Sequence, residues 1–198
     1  NLYKQTTAGS KISGAKFKII SEISGEVSKT TDNDNGKINI NENYVTPGVY
    51  KYEVIEESTA GEQYNNILNG CKLIIYVKVD GNGDLSIVKD KSGADFTNKK
   101  DYKYTIVNSD GSEVNSEKLD TIHKYIKITN TSNTNEKGSV NLTVINSINY
   151  KINIIKKDSS NKDLSGTKFT VIRDGSNVIF ENKEVTAETE ITESDMSN

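Results

Sequence analysis

Along this chain the apolar residues alternate with polar ones more often than they recur at helical spacing. The clearest run is Pro47-Gly-Val-Tyr-Lys-Tyr-Glu-Val-Ile-Glu-Glu57. A period of two sends successive side chains to opposite faces of a strand. One face carries Tyr50, Tyr52, Val54 and then Glu56; the other carries Lys51, Glu53, Ile55 and Glu57. The apolar face thus ends in a carboxylate, which is costly in a core unless paired or protonated. Two other stripes end on a polar side chain. Val140, Leu142 and Val144 lead to Asn146, and Ile148, Tyr150, Ile152 and Ile154 lead to Lys156. Near the start of the chain, Leu2 and Lys4 repeat the end of that last pattern.

Further strands are predicted over 15–23, 26–30, 37–40, 73–79, 85–88, 102–107, 125–129 and 140–145, with a short one beginning at Phe96. Residues 113–122 read as loop or a short helical turn. The runs are rich in β-branched and aromatic residues and are divided by Gly, Asn and Asp clusters, which argues for an all-β fold. Asp80-Gly-Asn-Gly-Asp84 reads as a hairpin turn, and Thr31-Asp-Asn-Asp-Asn-Gly36 as an Asx-rich turn. The second partly fits a calcium loop, but Thr31 stands where an aspartate is needed.

An internal repeat organises the chain. Lys11-Ile-Ser-Gly-Ala-Lys-Phe-Lys-Ile-Ile20 matches Asp163-Leu-Ser-Gly-Thr-Lys-Phe-Thr-Val-Ile172, and Lys4 matches Lys156 at the same offset. A constant offset points to duplicated domains. The first is expected over 1–147. The second is expected over 148–198 as the N-terminal part of a truncated copy, so the chain reads as a piece of a tandem array.

Composition narrows the function. A net charge of −3 gives no case for nucleic acid or an acidic membrane surface. No apolar run approaches the length of a membrane span. The single cysteine, Cys71, excludes an internal disulfide framework and reads as a small hydrophobe beside a strand. The single histidine, His123, has no partner pattern and reads as a surface residue. No Ser/His/Asp or Cys/His set, metal cluster or phosphate loop is visible, so neither an enzyme nor a cofactor nor a metal site is expected.

Lys4, then Ile12-Ser-Gly-Ala-Lys-Phe17, Thr31 to Gly36, Pro47-Gly-Val-Tyr to Glu56, and Val144-Ile-Asn146 together resemble the Cna-B/SpaA-type domain of Gram-positive adhesins and pilins. The stretch Tyr50–Glu56 with Leu73–Val79 also resembles the related streptococcal pilin isopeptide-linkage domains. The resemblance covers most of 1–88, fairly covers 140–147 and extends over 148–172; residues 99–139 do not match and read as an insertion. It implies an Ig-like (Cna-B/prealbumin-like) β-sandwich with an intramolecular Lys–Asn isopeptide bond promoted by a buried acid. Mapped residue by residue, the cross-link joins Lys4 to Asn146 and Glu56 shuttles protons, with Glu57 and Asn98 as alternatives for the acid and the amide. Lys156 would be the isopeptide lysine of the second domain.

The implied function is a stalk or backbone module of a cell-surface adhesin or pilin, extracellular and wall-attached, with signal and anchor outside this fragment. Its expected partners are neighbouring repeat domains, with host matrix or glycan contacted by other parts of the full-length protein. The alternative is a ligand-binding module that recognises a host protein or glycan through the 99–139 insertion. A concave aromatic surface there would favour binding.

Overall fold

The structure is a computed structural model and describes residues 1–98, 101–133, 136–148, 152–173, 177–185 and 189–191. The chain divides into two compact units, Asn1–Ile148 and Asn149–Asn198.

Alternation builds the first unit. Its strands are β1 (Leu2–Thr6), β2 (Lys16–Ser21), β3 (Gly25–Thr30), β4 (Lys37–Ile38), β5 (Gly48–Ser58), β6 (Cys71–Val79), β7 (Leu85–Val88), β8 (Thr105–Asn108), β9 (Ile126–Asn133) and β10 (Glu136–Asn146), with helix α1 at Ser116–His123 between β8 and β9. One sheet runs β3-β2-β5-β6-β7, and β8 also pairs with β6; the other runs β4-β1-β10-β9. Phe17, Ile19, Tyr52, Val54, Leu73, Ile75 and Val77 from the first sheet share one buried cluster with Leu2, Ile38, Ile126, Leu142 and Val144 from the second. Two sheets closing on a common core make a β-sandwich.

The first and last strands of the unit lie side by side. β1 and β10 pair in parallel, with Leu2 opposite Leu142, Lys4 opposite Val144 and Thr6 opposite Asn146. Gly36 lets the β4 turn close on this pair. Its backbone has a φ of 57°, and a Cβ there would meet backbone atoms of Lys4 and Ile12 at 2.7–2.9 Å. Only glycine combines that conformation with that approach.

The region 96–123 differs most from its sequence pattern. Phe96 opens no strand but packs, half-buried, against the core. The strand here covers 105–108 rather than 102–107, and 116–123 form a full helix. Asn115 caps that helix by accepting a hydrogen bond from the Lys118 amide, and Ile122 is its buried anchor. Segment 99–139 takes part in the core through Ile106, Val114, Ile122 and Ile126. The 31–36 turn is held by Asp32 Oδ1, which accepts from the amides of Asn35 and Lys37.

In the second unit, β11 (Ile152–Ile154) pairs with β14 (Thr189–Ile191), and β12 (Thr167–Arg173) with β13 (Asn177–Val185). Tyr150, in the middle of the third apolar stripe, lies outside the described residues. The sequence repeat is also a backbone repeat. The bridge Gln5–Lys11 recurs as Lys157–Asp163. The Ile12 amide donates to the Lys4 carbonyl at 3.0 Å, and the Leu164 amide to the Lys156 carbonyl at 2.7 Å. Gly14 and Gly166 both sit at positive φ, 81° and 82°.

Candidate functional site: a sealed lysine, glutamate and asparagine

Three polar side chains meet inside the sandwich. Lys4 comes from the middle of β1, Glu56 from near the end of β5 and Asn146 from the last position of β10. Lys4 and Asn146 are 0% exposed and Glu56 4%. Each sits inside because it continues a buried alternation, B-i-B-i-B in β1 and Tyr52, Val54, Glu56 in β5. Long charged side chains are almost never so fully enclosed unless paired.

The three groups touch one another. Lys4 Nζ donates to Asn146 Oδ1. It also lies 2.7 Å from Glu56 Oε1. Asn146 Nδ2 donates to that same Glu56 oxygen at 3.2 Å. The Phe17 ring covers the ammonium, its centroid 5.5 Å from Nζ. Glu56 Oε2 is buried with no hydrogen-bond partner, alone among the described residues' buried side-chain polar atoms. An orphaned buried oxygen favours the neutral acid over the carboxylate.

Burial decides the protonation tendencies here. It pulls the Lys4 ammonium down to about 8, although Glu56 acts in the opposite direction. It pushes the Glu56 carboxyl above its ordinary value against the pull of Lys4 and Asn146. Both shifts favour a neutral amine beside a neutral acid.

The neighbouring alternatives are elsewhere. Glu57 is exposed on the opposite face of β5, where it meets Lys16 at 3.3 Å and accepts from Ser28. Asn98 lies exposed in a bend outside any strand. Lys156 is exposed in the second unit.

Some supports leave no periodic trace in the sequence. Buried Thr31 donates to the Ile12 carbonyl and accepts from the Ala15 amide, tying the turn after β3 to the approach to β2. Its position at the head of the Asx-rich turn is the only clue to it. His123 is half-buried, not a free surface residue. Tyr102 stacks on it at 3.4 Å between centroids, the two rings nearly parallel, and Tyr104 hydrogen-bonds its Nδ1 at 3.0 Å. Beside this stack a cavity of about 140 Å³ is lined by Tyr76, Phe96, Asp101, Tyr102 and Tyr104 among others. Cys71 is fully buried in β6, as a small hydrophobe would be.

No protein-family model matches the sequence, and no curated protein matches it. Among solved structures, the chain is similar to the pilus adhesin SpaC from Lactobacillus rhamnosus GG in its open conformation. The identity is 14% and the TM-score 0.40, over 74% of this chain and 14% of that one. A C-terminal fragment of the same adhesin is similar at 12% identity and a TM-score of 0.38, over 96% of this chain and 68% of the fragment.

Proposed function

We propose that the first unit is a stalk or backbone module of a bacterial surface adhesin or pilin that cross-links itself through an amide between Lys4 and Asn146. The observation that carries this reading is the shared oxygen. Glu56 Oε1 contacts both the would-be nucleophile, Lys4 Nζ, and the would-be leaving group, Asn146 Nδ2.

The chemistry follows from that contact. Proton transfer from Lys4 to Glu56 turns a buried ion pair into a neutral amine and a neutral acid. The Nζ lone pair attacks Asn146 Cγ, while the acid, in contact with Nδ2, is placed to protonate the departing nitrogen. Collapse breaks the Cγ–Nδ2 bond, and the nitrogen leaves as ammonia with protons relayed from Nζ through Glu56. The balance is one amine plus one primary amide giving one secondary amide plus ammonia. Pre-positioning supplies the driving proximity, worth up to about 7–11 kcal/mol of barrier in favourable cases. The event is one turnover within the fold, and the protein is not an enzyme for external substrates. A buried Lys–Glu pair kept only for stability is a poor alternative, because desolvation offsets most of its attraction.

The module works outside the cell, attached to the wall, between neighbouring repeats. Lys156 is the corresponding lysine of the next repeat. Intact mass spectrometry of the full chain tests this. The wild type is expected to be lighter than its sequence by one ammonia. Lys4→Ala, Glu56→Ala and Asn146→Ala are each expected to restore the full mass. A folded wild type at full mass overturns the proposal.

The Tyr102–His123 stack and its adjoining aromatic cavity favour a second reading, a ligand-binding module that uses the 99–139 insertion through Tyr102 and Tyr104. Glycan-array binding that is lost in Tyr102→Ala would support it.

A further inference from the structure

The connection between β5 and β6 reaches both reacting strands. Its Tyr64 forms a backbone bridge with Ile148, and the Asn65 amide donates to the Ser147 carbonyl at 3.1 Å. Asn65 Nδ2 donates to Ser147 Oγ, also at 3.1 Å. These contacts grip the chain immediately after Asn146. One residue on, Asn66 Nδ2 donates to the backbone carbonyl of Glu56 at 3.1 Å, while its Oδ1 accepts from the Leu68 amide at 3.0 Å. Leu68, 1% exposed, anchors the loop in the core. The loop's own geometry is specified. Ala60 holds a φ of 73°, rare for a residue with a side chain, and its Cβ lies 3.5 Å from where a side chain on Gly14 would begin.

Resting on the cross-link proposed above, we infer that Asn65 and Asn66 are positioning residues of that reaction. Neither touches the reacting atoms. Asn66 fixes the backbone that carries the proton shuttle. Asn65 fixes the backbone that carries the amide under attack. The pair ties the ends of β5 and β10, strands that lie in different sheets and are not paired through their backbones. Without it, the Glu56 to Asn146 spacing depends on packing and on the contacts among the three reacting side chains themselves. Near-attack geometry tolerates little slack, since displacement by about 1 Å costs on the order of a hundredfold in rate.

The experiment starts from full chain that has never folded, recovered from inclusion bodies and held in denaturant at its full mass, and follows ammonia loss by intact mass after refolding by dilution. Tyrosine fluorescence reports folding in parallel. Asn66→Asp is the informative variant, because it keeps the acceptor for the Leu68 amide and removes the donor to Glu56. We expect Asn66→Asp and Asn66→Ala to fold and then cross-link roughly tenfold to a hundredfold more slowly than wild type. Asn65→Ala and Ser147→Ala should each slow the step by a smaller, similar factor. Their double variant should be no slower than either single, as for two ends of one bond. A wild-type rate in Asn66→Asp, or a loss in Asn66→Ala that merely tracks slower folding, overturns the inference while leaving the cross-link standing. A wild type that never loses ammonia removes the cross-link reading, and this inference with it.

Discussion

Lys4 and Lys156 occupy equivalent places in two copies of one local design, yet they meet different surroundings. Both lysines offer a backbone carbonyl to the residue eight positions on, and both are followed by a glycine at positive φ. Lys4 is sealed against an acid and an amide, whereas Lys156 is exposed. The difference lies in what stands beyond the motif. In the first unit β2 is flanked by both β3 and β5, so an acid-bearing strand reaches the lysine. Among the described residues of the second unit, β12 pairs with β13 alone. The motif therefore fixes the backbone around a lysine, and the long-range partners decide what surrounds its side chain.

Thermal unfolding should show the largest effect of that contrast. The proposed cross-link would close nearly the whole first unit, and the loop-entropy argument developed for disulfides assigns such a closure about 5 kcal/mol. Calorimetry of Asn146→Ala should show a Tm lower than wild type by roughly 10–20 °C. Lys156→Ala should leave both Tm and mass loss unchanged. Equal losses in the two variants would erase the distinction between the lysines.

Acetylation with an amine-reactive ester, read by peptide mass mapping, sharpens the same comparison. Lys156 should label at the rate of an ordinary surface lysine. Lys4 should remain unlabelled in the folded wild type and in folded Asn146→Ala, where only burial protects it. The turn glycine comes next. Gly36→Ala should cost about 2 kcal/mol through its left-handed backbone and its close approach to β1. Urea unfolding would read that loss, and cross-linking should slow with it.

A pH slope tests the same contrast another way. In the uncross-linked Asn146→Ala variant, Lys4 is expected to retain its depressed value near 8, against 10.5 for an unburied lysine. Between those values the unfolded chain binds the proton that the folded chain has lost, so stability should rise with pH. Below about 8 both states hold the proton and this contribution is flat. In the cross-linked wild type Lys4 is an amide and does not titrate, so the slope from this group should be missing. Urea midpoints from pH 8 to 10.5 would show whether the two proteins diverge.

The legibility of the fold followed the same division between local and long-range. Glu56 and Asn146 stand out because each continues an apolar alternation into a polar residue, a signal carried within one strand. Adjacent residues face opposite ways, so only one of Glu56 and Glu57 can point inward, and the strand's burial decides for Glu56. The residues that steady the site gave no such signal. Asn65, Asn66 and Thr31 lie in connections, and their hydrogen bonds join segments distant in sequence. Helix α1 was weakly marked, because a short segment with one buried anchor, Ile122, barely shows a period. His123 looked solitary because its partners, Tyr102 and Tyr104, precede β8 and are separated from it by that strand and the helix.

The parallel pairing of β1 with β10 has a mechanical corollary. A load applied at the two ends of the first unit pulls these adjacent strands in opposite directions along their length, so their hydrogen bonds resist together. With Lys4 joined to Asn146, tension passes from β1 directly into β10. Residues 5–145 then hang as a side loop that carries no tension. Were that segment drawn out, it would add roughly 470–500 Å of contour length. The proposed cross-link would withhold that slack, so a tether built from such units would stay at its folded length under load.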